Sequence, residues 1–286
     1  MNQFGGDWTK HKINILVEYA HAYMTIMNVH AAKYNWKLLY FDGFAGSGLI
    51  EKEGAYGKDV TVGAARRIVE MSDPRPFDTY YFVEKDPQNA ILLSERTKDS
   101  FPTKNIEVKQ SDCNDELRNL ASFLNSVNGK KHKVLAYIDP CGMQLEWNSL
   151  QILKNLSVDL WILVPTGMGV NRLLVNDGNI SDAWLDKLST FLGMTHQEIK
   201  DYFYKSKTLN TLFGEETITY KEEDAINKSA LLYRERLQDI FKKVTEPFIL
   251  KTPNNAILYH FFMASNNDSA INIANSVIKK YSKLSF

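Results

Sequence analysis

Cysteine is almost missing from this 286-residue chain: only Cys113 and Cys141 occur, and there is no CxxC pair. That excludes a disulfide framework and argues against a zinc knuckle. Net charge is missing as well. Lysine plus arginine and aspartate plus glutamate both number 34, so whole-molecule electrostatics exert no pull toward nucleic acid, although the sum is compatible with a local basic patch. No apolar run approaches the roughly 18–20 residues that cross a bilayer. The opening MNQFGGDWTKHK lacks the basic-then-apolar pattern of a signal peptide. The expectation is a cytoplasmic chain with no membrane contact. The six histidines show no metal-binding spacing such as HExxH, and no GxGxxG, internal repeat or low-complexity segment occurs. What is present is an ordinary globular mixture, 44% apolar and 24% charged, long enough to bury a large core.

The hydrophobic pattern alternates between two periods. Residues 9–28 place Ile13, Leu16, Val17, Ala20, Met24 and Met27 at helical spacing. Short apolar runs at 37–42, 79–84, 105–110, 134–138 and 158–164 read as strands, each followed by a helical stretch or a turn. Pro87 suits the first turn of a helix running to Lys98. Strand-then-helix units in series predict an α/β fold with a parallel sheet, right-handed crossovers and helices on both faces. Residues 51–60 read as a polar loop. Residues 167–225 break the rhythm and read as a mainly helical insertion or cap, with helices near 182–192 and 196–205. An amphipathic helix at 226–243 follows, then strands at 247–251 and 256–264 around Thr252-Pro253-Asn254-Asn255, a hairpin signal, and a terminal helix near 268–281. The whole span 1–286 reads as one domain.

Four features lie at the carboxyl ends of successive strands, where open α/β sheets bind ligands. The first is Asp42-Gly43-Phe44-Ala45-Gly46-Ser47-Gly48, whose glycines let backbone approach a ligand and adopt positive φ. The second is Glu84, placed to accept hydrogen bonds from the ribose of a nucleoside cofactor, or to be a solvated acid at a strand end. The third is Asp112, an acceptor for an adenine amine or a helix N-cap. The fourth is Asp139-Pro140-Cys141-Gly142, a tight turn aimed at the cleft or merely structural. Asp139 and Pro140 are the candidates for positioning a reacting group. Cys141 has no neighbouring His, Lys or Arg in sequence to make it a thiolate nucleophile.

Together these motifs resemble class I S-adenosylmethionine-dependent methyltransferases. More narrowly, the chain resembles the three-Cys-motif partner protein family (TcmP). The resemblance rests on Trp8-Thr9-Lys10-His11-Lys12 before a helix with Tyr19 and Tyr23, Phe44–Gly48, Gly63-Ala64-Ala65, Val83-Glu84, Asp112, Ile138–Gly142 with Trp147, Asp159 and Arg172. It implies a Rossmann-like, mostly parallel seven-stranded sheet with an antiparallel last strand. It also implies S-adenosylmethionine as cofactor, with Asp42, Gly43, Phe44, Gly46 and Gly48 around its methionine end, Glu84 on the ribose and Asp112 on the adenine. Family members take their name from a gene neighbour with a three-cysteine motif and are often found near mobile elements, so such a protein is the implied partner. One departure matters. Amino-group methyltransferases of DNA carry an aromatic residue where this chain has Gly142, and that aromatic stacks on a flipped base.

Two functions of different classes follow. One is methyl transfer to a nucleic acid or another macromolecule. The other is a non-catalytic, methyltransferase-like partner that works by protein–protein binding. A nicotinamide-dependent oxidoreductase is disfavoured by the missing GxGxxG.

Overall fold

A computed structural model describes residues 7–54, 57–211 and 214–284. The parts of the 1–286 domain span, the 51–60 loop and the 167–225 insertion that fall elsewhere lie outside the described residues. The chain runs α1 (Asp7–Tyr34), β1 (Lys37–Asp42), β2 (Leu49–Gly54), β3 (Gly57–Val62), α2 (Ala64–Glu70), β4 (Thr79–Glu84), α3 (Pro87–Lys98), β5 (Ile106–Gln110) and α4 (Cys113–Asn125). It continues through β6 (His132–Ile138), α5 (Trp147–Gln151), β7 (Val158–Val164), α6 (Asn171–Leu173), α7 (Asp182–Leu192), α8 (His196–Phe203), β8 (Tyr204–Thr211) and β9 (Gly214–Lys221). The last elements are α9 (Ala225–Gln238), β10 (Lys243–Val244), β11 (Phe248–Lys251), β12 (Ile257–Ser265) and α10 (Asp268–Leu284).

The central sheet has the order β5-β4-β1-β6-β7-β12, with β10 and β11 both on the far edge of β12. Strands β5 to β7 pair in parallel, and β12 runs antiparallel to β7. This is the Rossmann-like class I methyltransferase arrangement. The sheet has eight strands, not the expected seven, because the edge strand is broken. Pro247 lacks the N–H that a continuous ladder needs. At the break Thr245 holds β12 with its side chain, Met263 N–H donating to Oγ1 at 3.1 Å.

Two cores sit on the two faces. Leu38, Tyr40, Tyr80, Phe82, Leu135, Tyr137 and Trp161 face α1, α2, α3 and α10. Leu39, Phe41, Val134, Ala136, Ile138, Leu160 and Ile162 face α4, α5 and the helices from α7 to α9. Parallel strands covered on both sides have no solvent face, which is why their sequences read as unbroken apolar runs. Local signals set the helix starts: Asp86 accepts from Asn89 N–H at 2.8 Å ahead of Pro87, and Thr195 with Glu198 forms a capping box on α8.

Two expectations are corrected. The polar 51–60 stretch is an antiparallel hairpin, β2 with β3, in register from Leu49 opposite Val62 to Gly54 opposite Gly57. The insertion is not mainly helical in its second half: helix α8 stops at Phe203, and Tyr204–Lys221 is a second hairpin. Its hydroxyl pairs Ser206–Thr219 and Thr208–Thr217 meet across the strands at 3.1 and 3.3 Å. The β8–β9 hairpin is held by register rather than by burial, so apolar periodicity did not mark it. Among the described residues, no helix is long and apolar enough to cross a membrane.

Candidate functional site

The Asp42–Gly48 segment leaves β1 and turns over the sheet's carboxyl end. Three backbone bonds pin it to neighbouring strands and loops: Gly43 N–H to Tyr137 C=O at 2.9 Å, Ala45 N–H to Val83 C=O at 3.0 Å, and Gly63 N–H to Gly48 C=O at 3.0 Å. Gly46 and Gly48 take φ of +62° and +78°, values that side-chain-bearing residues seldom adopt. A Cβ on Gly43 would stand 2.5 Å from Cys113 Sγ, so this glycine serves close packing. A Cβ on Gly46 would meet no atom within 4 Å, because that position opens into a cleft.

The cleft measures about 210 Å³ and is lined by the loop, Gly63-Ala64, the tips of β6 and β7, Tyr259 and α1. Of the expected site residues, Asp42, Phe44, Gly46, Gly48, Asp139 and Pro140 meet there. Gly43 packs beneath the loop. Glu84 stands beside it, accepting from Gly46 N–H at 2.9 Å through Oε2 and from Asp86 N–H at 2.8 Å through Oε1. Asp112 lies one strand further out and is not part of the cleft lining. Its carboxylate caps α4, accepting from Asn114 N–H at 2.9 Å, and pairs with Lys85 at 3.0 Å. Partial burial pushes its pKa up, but the Asn114 N–H and Lys85 outweigh it and hold Asp112 below the ordinary carboxylate range.

Asp42 behaves in the opposite way. Burial, with the Asp139 charge nearby, lifts its pKa to about 8 despite the Phe44 N–H that donates to it at 3.2 Å. A neutral carboxyl group thus lies under the loop near pH 7. Asp139 is held by the Tyr137 hydroxyl, which donates at 2.8 Å, and by Lys12 Nζ. Cys141 reaches solvent, yet the protein around it and the Asp139 charge push its thiol up, against the help of Lys12. It is no activated nucleophile. Gly142, at φ +103°, has nothing within 4 Å of a Cβ position, so the space where an aromatic residue would stand is open.

Lys12, Tyr137 and Tyr259 also line the cleft, and none of them was singled out from the sequence as a site residue. Lys12 had a usable signal: it falls on the same helical stripe as Leu16, Tyr19 and Tyr23, at spacings of 4, 7 and 11 residues. A lysine on a buried stripe demands an acid, and Asp139 supplies it. Lys12 is only 7% exposed. Replacing it with methionine is therefore expected to lower stability by about 3 kcal/mol, because Asp139 keeps its charge without its partner. Urea denaturation of Lys12→Met against wild type measures this, and the loss should vanish in Lys12→Met combined with Asp139→Asn.

A larger cavity, about 300 Å³, lies between α4 and strands β1, β4, β5 and β6. It contains none of the expected site residues. Among the described residues, no group of three or more His, Cys, Asp or Glu is arranged to hold a metal ion.

The pieces of the cleft fit S-adenosylmethionine chemically. The open cradle at Gly46 admits a ligand against the backbone. A cation, Lys12, and two carboxyl groups, Asp42 and Asp139, complement a zwitterionic amino-acid head.

No family model matches the sequence, and no curated protein matches it. Among solved structures the chain is similar to the Legionella pneumophila protein LPL1258, of the family DUF519, with 13% identity, a TM-score of 0.46 and coverage of 93% of this chain and 92% of that one. It is also similar to Trm1 from Pyrococcus horikoshii, solved with S-adenosyl-L-methionine, with 12% identity, a TM-score of 0.39 and coverage of 99% and 76%. A third is spermidine synthase from Thermotoga maritima, with 10% identity, a TM-score of 0.37 and coverage of 93% and 62%. Likenesses this distant assign no residue its role.

Proposed function

We propose that this chain binds S-adenosylmethionine and transfers its methyl group to a nucleic acid or another macromolecule. One observation carries the proposal: the glycine loop after β1 and the Asp139-Pro140 turn after β6 line the same cleft, where the buried Lys12 pairs with a half-buried Asp139. Bound there, the cofactor supplies an electrophilic methyl group on a sulfonium. The protein's share is orientation. Gly46 and Gly48 let backbone lie against the ligand, and Phe44 covers it. Glu84 keeps the loop in place and offers its remaining lone pairs to a ribose. Asp112, through its cap, marks the adenine end. Asp139, steadied by Tyr137, orients an acceptor N–H or O–H and takes its proton, and Pro140 shapes the turn that presents it. The open space at Gly142 does not favour a flipped base held by stacking.

The finer reading is membership of the three-Cys-motif partner family, with a neighbouring three-Cys-motif protein as partner, one domain over 1–286 and the 167–225 insertion shaping the acceptor pocket. Two reduced cysteines suit a cytoplasmic setting. Lys12 on Asp139 favours a second reading, a non-catalytic partner protein, since the acceptor-facing carboxylate is already engaged.

Calorimetric titration with S-adenosylmethionine, alongside mass spectrometry of co-purified ligand, tests the first reading. Absence of binding would end it, and binding without turnover on nucleic-acid and protein pools would favour the second. Glu84→Ala is expected to weaken cofactor binding by about 1–3 kcal/mol through lost charge-assisted hydrogen bonds. The same titration measures it, with unchanged affinity counting against Glu84.

A further inference from the structure

At the end of the sheet opposite the cleft, Lys33-Tyr34-Asn35-Trp36-Lys37 carries the chain from α1 into β1. Asn35 makes the corner with φ +52°. The neighbouring strand β6 enters through Lys130 and Lys131, and the sheet register sets Lys37 opposite His132 and Leu38 opposite Lys133. Two basic segments distant in sequence thus become one face.

That face carries a row of rings. Tyr34 and Trp36 stack with centroids 4.9 Å apart and planes 27° from parallel, and His30 stacks on Tyr34 at 6.1 Å and 12°. Lys133 Nζ lies 4.5 Å from the Trp36 centroid, and Lys33 Nζ lies 5.1 Å from that of Tyr34. Tyr34 remains 48% exposed although it is aromatic and ordered in the stack. Five lysines, 33, 37, 130, 131 and 133, gather in a chain whose net charge is zero. The carboxylates facing them are few. Asp78 stands 3.8 Å from Lys37, and Asp159 lies buried behind Lys133. Glu107 and Glu116 line the cavity with His132 on the α4 side. Trp36 belongs to the α1 side with Leu38, the residue opposite Lys133.

We propose that this face binds single-stranded nucleic acid, with bases stacking on Tyr34 and Trp36 and phosphates meeting Lys33, Lys130 and Lys131. Cations interleaved with the exposed Tyr34 ring and the half-buried Trp36 match the two components of such a ligand, an anionic backbone and unstacked bases. A duplex hides its base faces and leaves the rings without a partner. The face is a docking surface rather than the reacting site, because β1 separates it from the cleft by about 20 Å at the usual rise per strand residue. The inference is independent of the methyl-transfer reading.

Fluorescence anisotropy with labelled oligonucleotides of about 12 nucleotides tests it. Single-stranded DNA, single-stranded RNA and a duplex of the same sequence are titrated from roughly 50 to 200 mM salt. Single strands are expected to bind more tightly than the duplex, and the DNA and RNA arms identify the preferred source. Tyr34→Ala should weaken single-strand binding about tenfold. Lys130→Ala with Lys131→Ala should lower the log–log salt slope by about 1.4. These three positions are exposed, and an unchanged melting midpoint verifies the fold. No binding at the lowest salt would overturn the proposal. So would equal affinity for the duplex with Tyr34→Ala neutral, or a preference for anionic phosphatidylserine vesicles over the oligonucleotide.

Discussion

A Gly46→Val chain is expected to lose S-adenosylmethionine binding while keeping its fold. Gly46 sits at φ +62°, and a Cβ there meets no protein atom within 4 Å. The space is free of protein because it belongs to the cleft. Valine adds two further effects. A β-branched residue at positive φ costs about 1–3 kcal/mol in backbone strain, and its methyl groups project into the volume where a ligand must lie. The strain falls on a half-buried loop at the cleft rather than on the core, so the melting midpoint should drop by only a few degrees. Affinity by calorimetry should fall at least about 100-fold, since the side chain displaces several kcal/mol of ligand contact. Gly46→Ala separates the two effects, bearing the strain with a smaller obstruction. Wild-type affinity in Gly46→Val would show that the loop does not cradle the ligand.

The stability of the protein should decline between about pH 4 and pH 8, and Asp42→Asn should remove most of that decline. Asp42 is buried, and its folded-state pKa is about 8 against an ordinary carboxyl value near 4. In that window the folded state keeps a proton that the unfolded chain releases. The protonated side chain therefore contributes stability that is fully present below about 4 and is lost progressively as pH rises through about 8. The slope is at most about 1.4 kcal/mol per pH unit, so the full change is on the order of 5 kcal/mol, an upper bound for a group with coupled neighbours. Asparagine keeps an oxygen for the Phe44 N–H and carries no charge to desolvate. Urea midpoints across the range, for wild type and Asp42→Asn, make the comparison. Parallel curves for the two proteins would mean that Asp42 is ionised throughout. The cofactor's zwitterionic head adds a second reading of the same group: a binding affinity that changes near pH 8 in wild type and not in Asp42→Asn places Asp42 beside the ligand.

The parts of the fold that burial governs were readable in advance. Strand 79–84, strand 158–164 and helix 87–98 match their observed limits, because a strand covered on both faces or a helix opened by Asp86-Pro87 leaves a strong local mark. The Thr252–Asn255 turn between β11 and β12 was equally plain. The two polar hairpins were not. In the second, the strands expose most of their described side chains, so register rather than hydrophobic period holds it. The edge strand's break at Thr245–Pro247 depends on a side-chain bond to another strand and leaves little trace in sequence.

The site divides in the same way. The glycine loop, Asp139 and Pro140, which line the candidate cleft, stood out because strand ends and tight turns have local signatures. Asp112 had two readings, and its cap to Asn114 is now visible. The pairing of Lys12 with Asp139 was not readable because the two are 127 residues apart.

Residue order alone determined the strand-and-helix alternation, the turn chemistry and the positions of acids and glycines, since each depends on neighbours within a few residues. Tertiary structure decided which of those groups share a cleft, that Asp42 is neutral near pH 7 while Asp112 is charged, and that two lysine-rich segments form one face. Burial and charge–charge distance are properties of three-dimensional neighbours. A carboxylate's solvation and a lysine's partner exist only once the sheet has brought distant segments together.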